Sequence, residues 1–278
     1  MQEIAPGVFV ETGYQGANVG FVVTDEGVVL IDTPMLPSQA RHWRQQIALT
    51  TEQPVVYVFN TDYHRGHILG NQFFPAPVIA HDATWEQMRS YSDAFRQQCV
   101  DLWQELDPEG SFERPEIILP ELTFTRRIVL HRGQRTMHLI HMGGHTPATS
   151  ILYLPEEGIA FTGDLVFNNI LPSLRHANTK QWLEALTALR KMRVDVIVPG
   201  HGEICGKEAT QRLSEFIREV RAQVRQLYKA GRSKSEVSSK LTYLLDFFPA
   251  VGGEREKLRQ RFKAGIDRVY DEMKQTSK

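Results

Sequence analysis

The chain is poor in cysteine, in net charge and in long apolar runs. Its 278 residues include two cysteines, Cys99 and Cys205, far apart and without a CxxC spacing. This spacing argues against a disulfide framework and against a cysteine-rich zinc site. The formal net charge of −1 provides no basic footprint for nucleic acid. No apolar stretch approaches the ~20 residues that cross a bilayer. We therefore expect a small-molecule substrate, with neither a nucleic acid nor a membrane as partner.

The remaining composition is that of an ordinary globular protein. Hydrophobic residues make up 41% of the chain and charged residues 23%, which is typical of globular domains. The length is enough for one large core or two small ones. The N-terminal sequence MQEIAPGVFVETG has no basic segment leading into an apolar run, so no signal peptide is predicted and a cytoplasmic location is expected.

Two strand-rich blocks alternate with helical segments along the chain. Short runs rich in Val, Ile and Phe predict strands at 8–11, 18–24, 28–31, 55–59 and 78–80, and then at 123–130, 136–141, 150–154, 159–162 and 194–198. Helices are expected at 39–49, at 84–106, within 174–193, and from 207 onward with breaks at 230–233 and 248–253. Such an order predicts two packed sheets with helices outside.

The segment from 84 to 120 is long and aromatic. It contains Trp85, Tyr91, Phe95, Trp103 and Phe112. A segment of this kind can close over a cleft and exclude water, or it can pack on the edge of a sheet. Packing is the favoured interpretation, because apolar residues recur at helical spacing.

Five short stretches hold acid and imidazole side chains where strands should end. They are Asp32 in VVLIDTP, the run TDYHRGH at 61–67, His145 in GGHTP, Asp164 in FTGDLVF and His201 in VPGHGE. Four of them follow an apolar, β-rich run, so their side chains should reach a shared rim. Scattered His and Asp residues of this kind are typical of a metal centre assembled by the fold.

The residue types narrow the chemistry of that centre. His64 and His67 lie three apart, on one face of a helix if one begins near Gly66, and Asp62 reaches the same point from the loop. Imidazole and carboxylate donors suit zinc, iron or manganese. A lone histidine is usually surface or core filling, and that interpretation is kept for His42, His81, His131, His138, His141 and His176.

These stretches, in this order, resemble the motifs of the metallo-β-lactamase superfamily over residues 8–202. Asp32 matches the first motif, and residues 61–67 match a T-H-x-H-x-D-H signature. His145, Asp164 and His201 match the later motifs. The resemblance implies an αββα sandwich of two mixed β-sheets flanked by helices. It divides the chain into a domain at 1–206, with a helical insertion at about 83–120, and a helical C-terminal extension at 207–278.

The resemblance also implies the ligands of a dinuclear site. The first ion would take Asp62, His64 and His145, and the second His67, His201 and a bridging Asp164. The signature departs from the family twice: Asp62 stands where the family has His, and Gly66 where it has Asp. The number of carboxylates is unchanged. Because Gly66 offers no ligand, we expect the second ion to be held more weakly, so that one or two zinc ions bind, with iron or manganese as alternatives.

The implied reaction is hydrolysis of a small ester, lactone, thioester or related substrate by a metal-bound hydroxide. We assign catalytic roles to Asp62, Asp164 and His201. Asp32 either buttresses the ligand loops by hydrogen bonding or caps a turn before Pro34. The candidates for substrate contacts are Asn168, Asn169 and His176.

Two other functions stay open at this point. The altered signature also fits a catalytically weak or inactive binding protein on the same scaffold. Swapped carboxylates also fit an iron-dependent redox member of the superfamily. The apolar segment 241–248 is either core or an interface in a homodimer.

Overall fold

The structure, a computed structural model, describes residues 1–110, 114–248 and 255–276. The strands in this part are β1 (Gln2–Ala5), β2 (Val8–Glu11), β3 (Val19–Thr24), β4 (Gly27–Ile31), β5 (Val55–Phe59), β6 (Val78–His81), β7 (Leu122–Phe124), β8 (Arg127–Arg132), β9 (Arg135–His141), β10 (Ser150–Leu154), β11 (Ile159–Phe167) and β12 (Val196–His201). The helices are α1 (Pro37–Thr50), α2 (Arg65–Ile68), α3 (Asp82–Arg89), α4 (Asp93–Leu106), α5 (Thr179–Lys191), α6 (Lys207–Lys229), α7 (Lys234–Lys240) and α8 (Arg255–Thr276), with 3₁₀ turns at Asn71–Phe73 and Leu241–Phe247.

The strands form two mixed sheets. A seven-stranded sheet runs β1 to β7 in chain order, antiparallel up to β4 and parallel from β4 to β7. A five-stranded sheet has the order β12-β11-β10-β9-β8, antiparallel except for the parallel pair β11 and β12. Helices flank both sheets, and a helical region follows at the C-terminus, which confirms the predicted fold class.

Side-chain alternation explains how the layers pack, because successive residues of a strand point to opposite faces. On β4, Val29 and Ile31 join a core cluster with Leu139 and Leu152 of the other sheet. Val28 and Leu30 join a different cluster with Trp43 of α1. Every residue of β4 is therefore buried, and the chain reads there as a continuous apolar run.

Two of the predicted elements are wrong. The segment 123–130 is not one strand: β7 pairs with β6 in the first sheet, and β8 pairs with β9 in the second, so the chain changes sheets between them. The segment 84–106 is two helices, because Ser90 ends α3 and the Ser92 side chain caps α4 by accepting from Phe95 N. Phe112 and most of the predicted break at 248–253 lie outside the described residues.

Helix α4 of the insertion packs against the loop that follows β4 and the turn that follows α2. Cys99 and Trp103 of α4 share an apolar cluster with Met35 and Leu69. The Trp103 indole donates to the Met35 carbonyl at 2.9 Å. Among the described helices, none is long and apolar enough to cross a membrane.

A buried polar network holds the C-terminal helix α8 to α5. The carboxylate of Glu272, 8% exposed, accepts from Thr179 N at 2.9 Å and from Thr179 Oγ1 at 2.6 Å. Arg221 of α6 donates to the same carboxylate at 3.0 Å.

In the segment 241–248, Leu241 and Leu244 are buried in an apolar core cluster, so these two are core residues.

We expect Glu272→Ala to lower the free energy of unfolding by about 2–4 kcal/mol, because it leaves the buried Thr179 N–H and Arg221 without their acceptor. Urea unfolding measures this. Glu184→Ala is the matched control, because its ion pair with Lys180 spans 4.0 Å between exposed side chains and should change the free energy by less than about 0.5 kcal/mol. Equal effects of the two substitutions would contradict this role of the network.

Candidate metal centre

The acid and imidazole side chains meet at one edge of the two sheets. Asp32 follows β4, and the run 61–67 follows β5, its parallel neighbour. Asp164 lies on β11, and His201 is the last residue of β12, its parallel neighbour. Parallel strands end at the same edge of a sheet, so the topology itself brings these residues together. Asp164 lies inside its strand and not beyond it, which corrects the sequence-based expectation.

Six of the predicted residues form two groups that could each hold a cation. The Asp62 triad comprises Asp62, His64 and His145, and the His67 triad comprises His67, Asp164 and His201. Within each triad the ligand atoms lie within 4.8 Å of one another. This is the division that the resemblance implied.

Two ligand distances in the His67 triad match those around a tetrahedral ion. Asp164 Oδ1 lies 3.4 Å from His67 Nε2 and 3.2 Å from His201 Nε2. Ligand atoms around a tetrahedral zinc ion, with bonds of about 2.0–2.1 Å, lie about 3.4 Å apart. His67 is 1% exposed and Asp164 4%, whereas the His201 side chain is 29% exposed, so a cation here would be enclosed on the side of His67 and Asp164 and open on the side of His201.

The Asp62 triad shares the carboxylate of Asp164. His64 Nδ1 lies 3.2 Å from Asp62 Oδ1 and 3.3 Å from His145 Nε2. His145 Nε2 is in turn 3.1 Å from Asp164 Oδ2. Asp164 therefore directs one oxygen toward each triad, which is the arrangement of a bridging ligand.

Unpartnered polar atoms support the fit of a cation. Within the described residues, His67 Nε2, Asp164 Oδ1 and His145 Nδ1 are buried and have no hydrogen-bond partner. Buried polar atoms are nearly always satisfied, and exceptions call for an unseen water or ion. The first two of these atoms face each other inside the His67 triad, so the donor set fits a bound divalent ion.

Asp32 holds the ligand loop from behind. Its carboxylate accepts from Thr61 N at 2.8 Å, from Thr61 Oγ1 at 2.6 Å and from His67 Nδ1 at 2.8 Å. The bond to Nδ1 directs the Nε2 lone pair of His67 into the centre. These contacts match the buttressing role, and the left-handed backbone of Asp32, at φ 56°, is one that Asp adopts more readily than most residues.

Asp62 is fully buried and accepts four hydrogen bonds. Oδ1 accepts from Tyr63 N at 2.8 Å and His64 N at 3.2 Å. Oδ2 accepts from Thr146 Oγ1 at 2.7 Å and Thr149 Oγ1 at 2.9 Å. A carboxylate has about four lone-pair positions, so protein donors already occupy the acceptor capacity of Asp62. Sequence reasoning missed both threonines, although they closely follow His145 in GGHTPATS.

The pKa values of the cluster follow from burial and mutual charge. Burial alone would raise the pKa of Asp164, but His201, His67 and His145 hold it well below its usual value. Burial alone would lower the pKa of His67, but Asp32 and Asp164 raise it well above its usual value. Burial lowers the pKa of His64 to about 4. His64 is therefore neutral at pH 7, as a ligand must be, whereas His67 must release a proton when a cation binds.

Backbone fills the space beside Gly66. A Cβ added to Gly66 would lie 3.3 Å from Ala17 N and 3.6 Å from Gly16 Cα. Ala17 N donates to the Gly66 carbonyl at 3.4 Å. A side chain at position 66 would therefore need the loop at 16–17 to shift by a few tenths of an ångström.

The candidates for substrate contacts have different surroundings. The Asn168 amide donates to Glu203 O at 2.9 Å and accepts from Arg212 at 3.0 Å, so it holds the turn after His201. Asn18, which sequence reasoning missed, donates to the Pro199 carbonyl of β12 and to the Gly202 carbonyl of the same turn. Asn169 is exposed at the rim. His176 lies next to the centre, with Nδ1 2.8 Å from His64 Nε2.

The fold and this centre define an αββα sandwich with a candidate metal site at one edge of its sheets. The model of the Metallo-beta-lactamase superfamily matches residues 12–201. That match covers more than half of the chain, so the chain belongs to this superfamily.

Sequence identity to individual proteins is low, but the matches cover most of this chain. The linear primary-alkylsulfatase of Pseudomonas sp. (strain ATCC 19151) is 19% identical over 284 residues, which cover 88% of this chain and 53% of that protein. Metallo-beta-lactamase IND-1 of Chryseobacterium indologenes is 28% identical over 71% of this chain and 76% of that protein. A solved metallo-beta-lactamase family protein from Thermus thermophilus matches with a TM-score of 0.71 at 18% identity, over 99% of this chain and 95% of that one. This last likeness concerns the fold alone, and the chain spans about half the length of the alkylsulfatase.

We expect Asp32→Asn to weaken zinc binding about 10- to 100-fold, because His67 loses the carboxylate that orients its ring. Competition with a chromophoric chelator measures the affinity. Asn also tolerates the left-handed backbone of this position, so circular dichroism should be unchanged. Asp25→Asn, in an exposed turn, is the matched control. Unchanged zinc affinity in Asp32→Asn would show that the contact to His67 has no bearing on the ion.

Proposed function

We propose that this chain is a metal-dependent hydrolase of a small ester-like substrate. The observation that carries the proposal is the pair of triads joined by the two oxygens of Asp164. A bound divalent ion would supply a water of lowered pKa, about 7 for zinc, and would polarise the bond to be cleaved. Zinc suits the donor set, and iron or manganese are the alternatives, because all three accept imidazole and carboxylate.

Exposure indicates the side from which substrate would approach. The side chains of His64 and His201 are 27% and 29% exposed, whereas the other members of the two triads are buried. Phe167 stacks on His201 with ring centroids 5.1 Å apart, so the face of His201 is fixed. Substrate would therefore meet the centre between His64 and His201, with Asn169 on the same rim as a candidate donor to a developing oxyanion.

The residues have distinct roles in this proposal. Asp164 would tie the two halves of the centre together and neutralise part of their charge. His201 and His67 would hold one cation, and His64 and His145 the other. Asp62 would organise the loops at 62–64 and 146–149 through its four hydrogen bonds, and the two bonds to Oδ1 would compete with a contact from that oxygen to the ion.

We propose that the two ions are held unequally, with the weaker one at the Asp62 triad. This reverses the expectation from the altered signature, in which the missing ligand at Gly66 weakens the binding of the ion at the His67 triad. The support for the reversal is that Asp62 already accepts four hydrogen bonds, whereas His67 Nε2 and Asp164 Oδ1 have no hydrogen-bond partner among the described residues.

Stepwise zinc titration tests this order of affinity. We expect His67→Asn to abolish the tighter binding step, because it removes an enclosed ligand, and Asp62→Asn to leave that step within about threefold while weakening the second about 10-fold or more. Calorimetry in a buffered zinc series measures both steps. Loss of the tighter step in Asp62→Asn would instead support the order of affinity expected from the altered signature.

The hydrolase proposal itself is tested with a substrate panel. It should include a carboxylic ester, a lactone, a thioester, a β-lactam and a primary alkyl sulfate, since one relative is named for alkyl sulfates and another for β-lactams. We expect at least one class to be turned over, to stop when dipicolinate removes the metal and to resume with zinc. Asp164→Asn should lower kcat/KM roughly 100-fold or more, because the shared ligand loses its charge.

Asp25→Asn serves as the control in the same assay. Turnover that survives complete metal removal would refute the proposal. Metal uptake without turnover of any class would favour the binding protein, and oxygen consumption by the iron form would favour the redox alternative.

A cytoplasmic location and a homodimer are kept as proposals from the sequence. The homodimer is kept because Tyr243 and Phe247 are 51% and 61% exposed.

A further inference from the structure

His176 lies outside both triads and contacts one of their ligands. Its Nδ1 is 2.8 Å from His64 Nε2, and the two ring planes are inclined by 22° with centroids 5.1 Å apart, so the rings meet edge to edge, as an N–H···N hydrogen bond requires. His176 itself is exposed. The contact joins residues separated by 112 positions in the sequence, so it depends on how the loop before α5 is placed.

The other nitrogen of His64 decides the direction of this hydrogen bond. His64 Nδ1 faces Asp62 Oδ1 at 3.2 Å and His145 Nε2 at 3.3 Å. To bind a cation there, Nδ1 must present its lone pair, so the ring proton must reside on Nε2. Nε2–H then donates to His176 Nδ1, which accepts, and His176 carries its own proton on Nε2.

The C-terminal helix fixes the loop on both sides of His176. Arg268 Nε of α8 donates to the Ala177 carbonyl at 2.9 Å. Glu272 of α8 accepts from Thr179 N at 2.9 Å. A Cβ added to Gly265 of α8 would lie 2.9 Å from Leu174 Cβ, so only a residue without a side chain lets the helix approach this closely.

The same loop is tied to the metal centre. Asn178 N donates to the Gly144 carbonyl at 2.8 Å, next to His145. The loop at 174–179 thus lies between α8 and the ligands, with its backbone held from each side. This placement of the backbone brings the ring at position 176 to that of His64.

We propose that His176 is a positioning residue that keeps His64 in its Nε2–H form, and that α8 holds it there. This inference rests on the proposed function, because it gives His64 Nδ1 the role of a ligand. It assigns His176 neither a proton transfer to substrate nor a contact with the metal. It also gives the C-terminal helices a part in the centre, through Arg268 and Gly265.

The metal-free protein tests the tautomer without any catalysis. With ¹⁵N-labelled histidine, we expect the ring nitrogen shifts of His64 to report a proton on Nε2, together with a scalar coupling across the hydrogen bond from Nε2 to His176 Nδ1. A proton on His64 Nδ1 would overturn the inference, whether or not the protein hydrolyses anything.

Two substitutions separate the acceptor from the ring. His176→Phe keeps an aromatic ring beside His64 but has no acceptor, whereas His176→Asn keeps an acceptor near the position of Nδ1 without the ring. We expect His176→Phe to weaken the second zinc-binding step about 10- to 100-fold and to leave the first step within about threefold. His176→Asn should retain the affinity of the parent within about threefold.

A matched pair on α8 tests the support from the helix. Arg268→Met removes the hydrogen bond to the Ala177 carbonyl and should weaken the second zinc-binding step severalfold. Arg259→Met removes the same charge from an exposed position of the same helix and should not change it. Equal zinc affinities in His176→Phe and the parent would refute the role of His176, and equal effects of the two arginine substitutions would refute the role of α8. Absence of any zinc binding by the parent would instead count against the proposed function.

Discussion

The structure depends on one buried carboxylate that serves two groups of imidazoles. Asp164 directs Oδ1 toward His67 and His201 and Oδ2 toward His145. A buried charge is costly unless it is paired, and the imidazoles hold its pKa well below the usual range. The side chain can remain ionised at this depth because β11 and β12 run parallel and bring His201 beside it.

A second set of hydrogen bonds keeps the ligands in place. Asp32 orients His67, and Asp62 joins the loop at 62–64 to Thr146 and Thr149. Asn18 and Asn168 hold the turn after His201. His67, the loop at 62–64 and the turn after His201 are thus each attached to another segment of the chain. These bonds include the four that Asp62 accepts, at one of the two positions where the chain departs from the family signature.

Strands and site residues that have a local signal in the sequence could be predicted. Features that depend on contacts between distant parts of the chain could not. Alternating or continuous apolar runs located most strands, and His and Asp residues near predicted strand ends, divided into two sets by the family resemblance, gave the six members of the triads. Apolar residues continue through 123–130, so nothing local marked the passage from β7 to β8 between sheets. Gly163 suggested that a strand ends before Asp164, although β11 continues to Phe167. His176 reaches His64 across 112 residues, and no pattern within either segment could have paired them.

Anomalous diffraction at the zinc edge, from crystals equilibrated with zinc, tests the central arrangement most directly. The account predicts a strong peak enclosed by His67 Nε2, His201 Nε2 and Asp164 Oδ1, and a weaker peak on the side of Asp164 Oδ2, near His64 Nδ1 and His145 Nε2. A strong peak that Asp164 does not contact, or no peak at this edge of the sheets at saturating zinc, would contradict it.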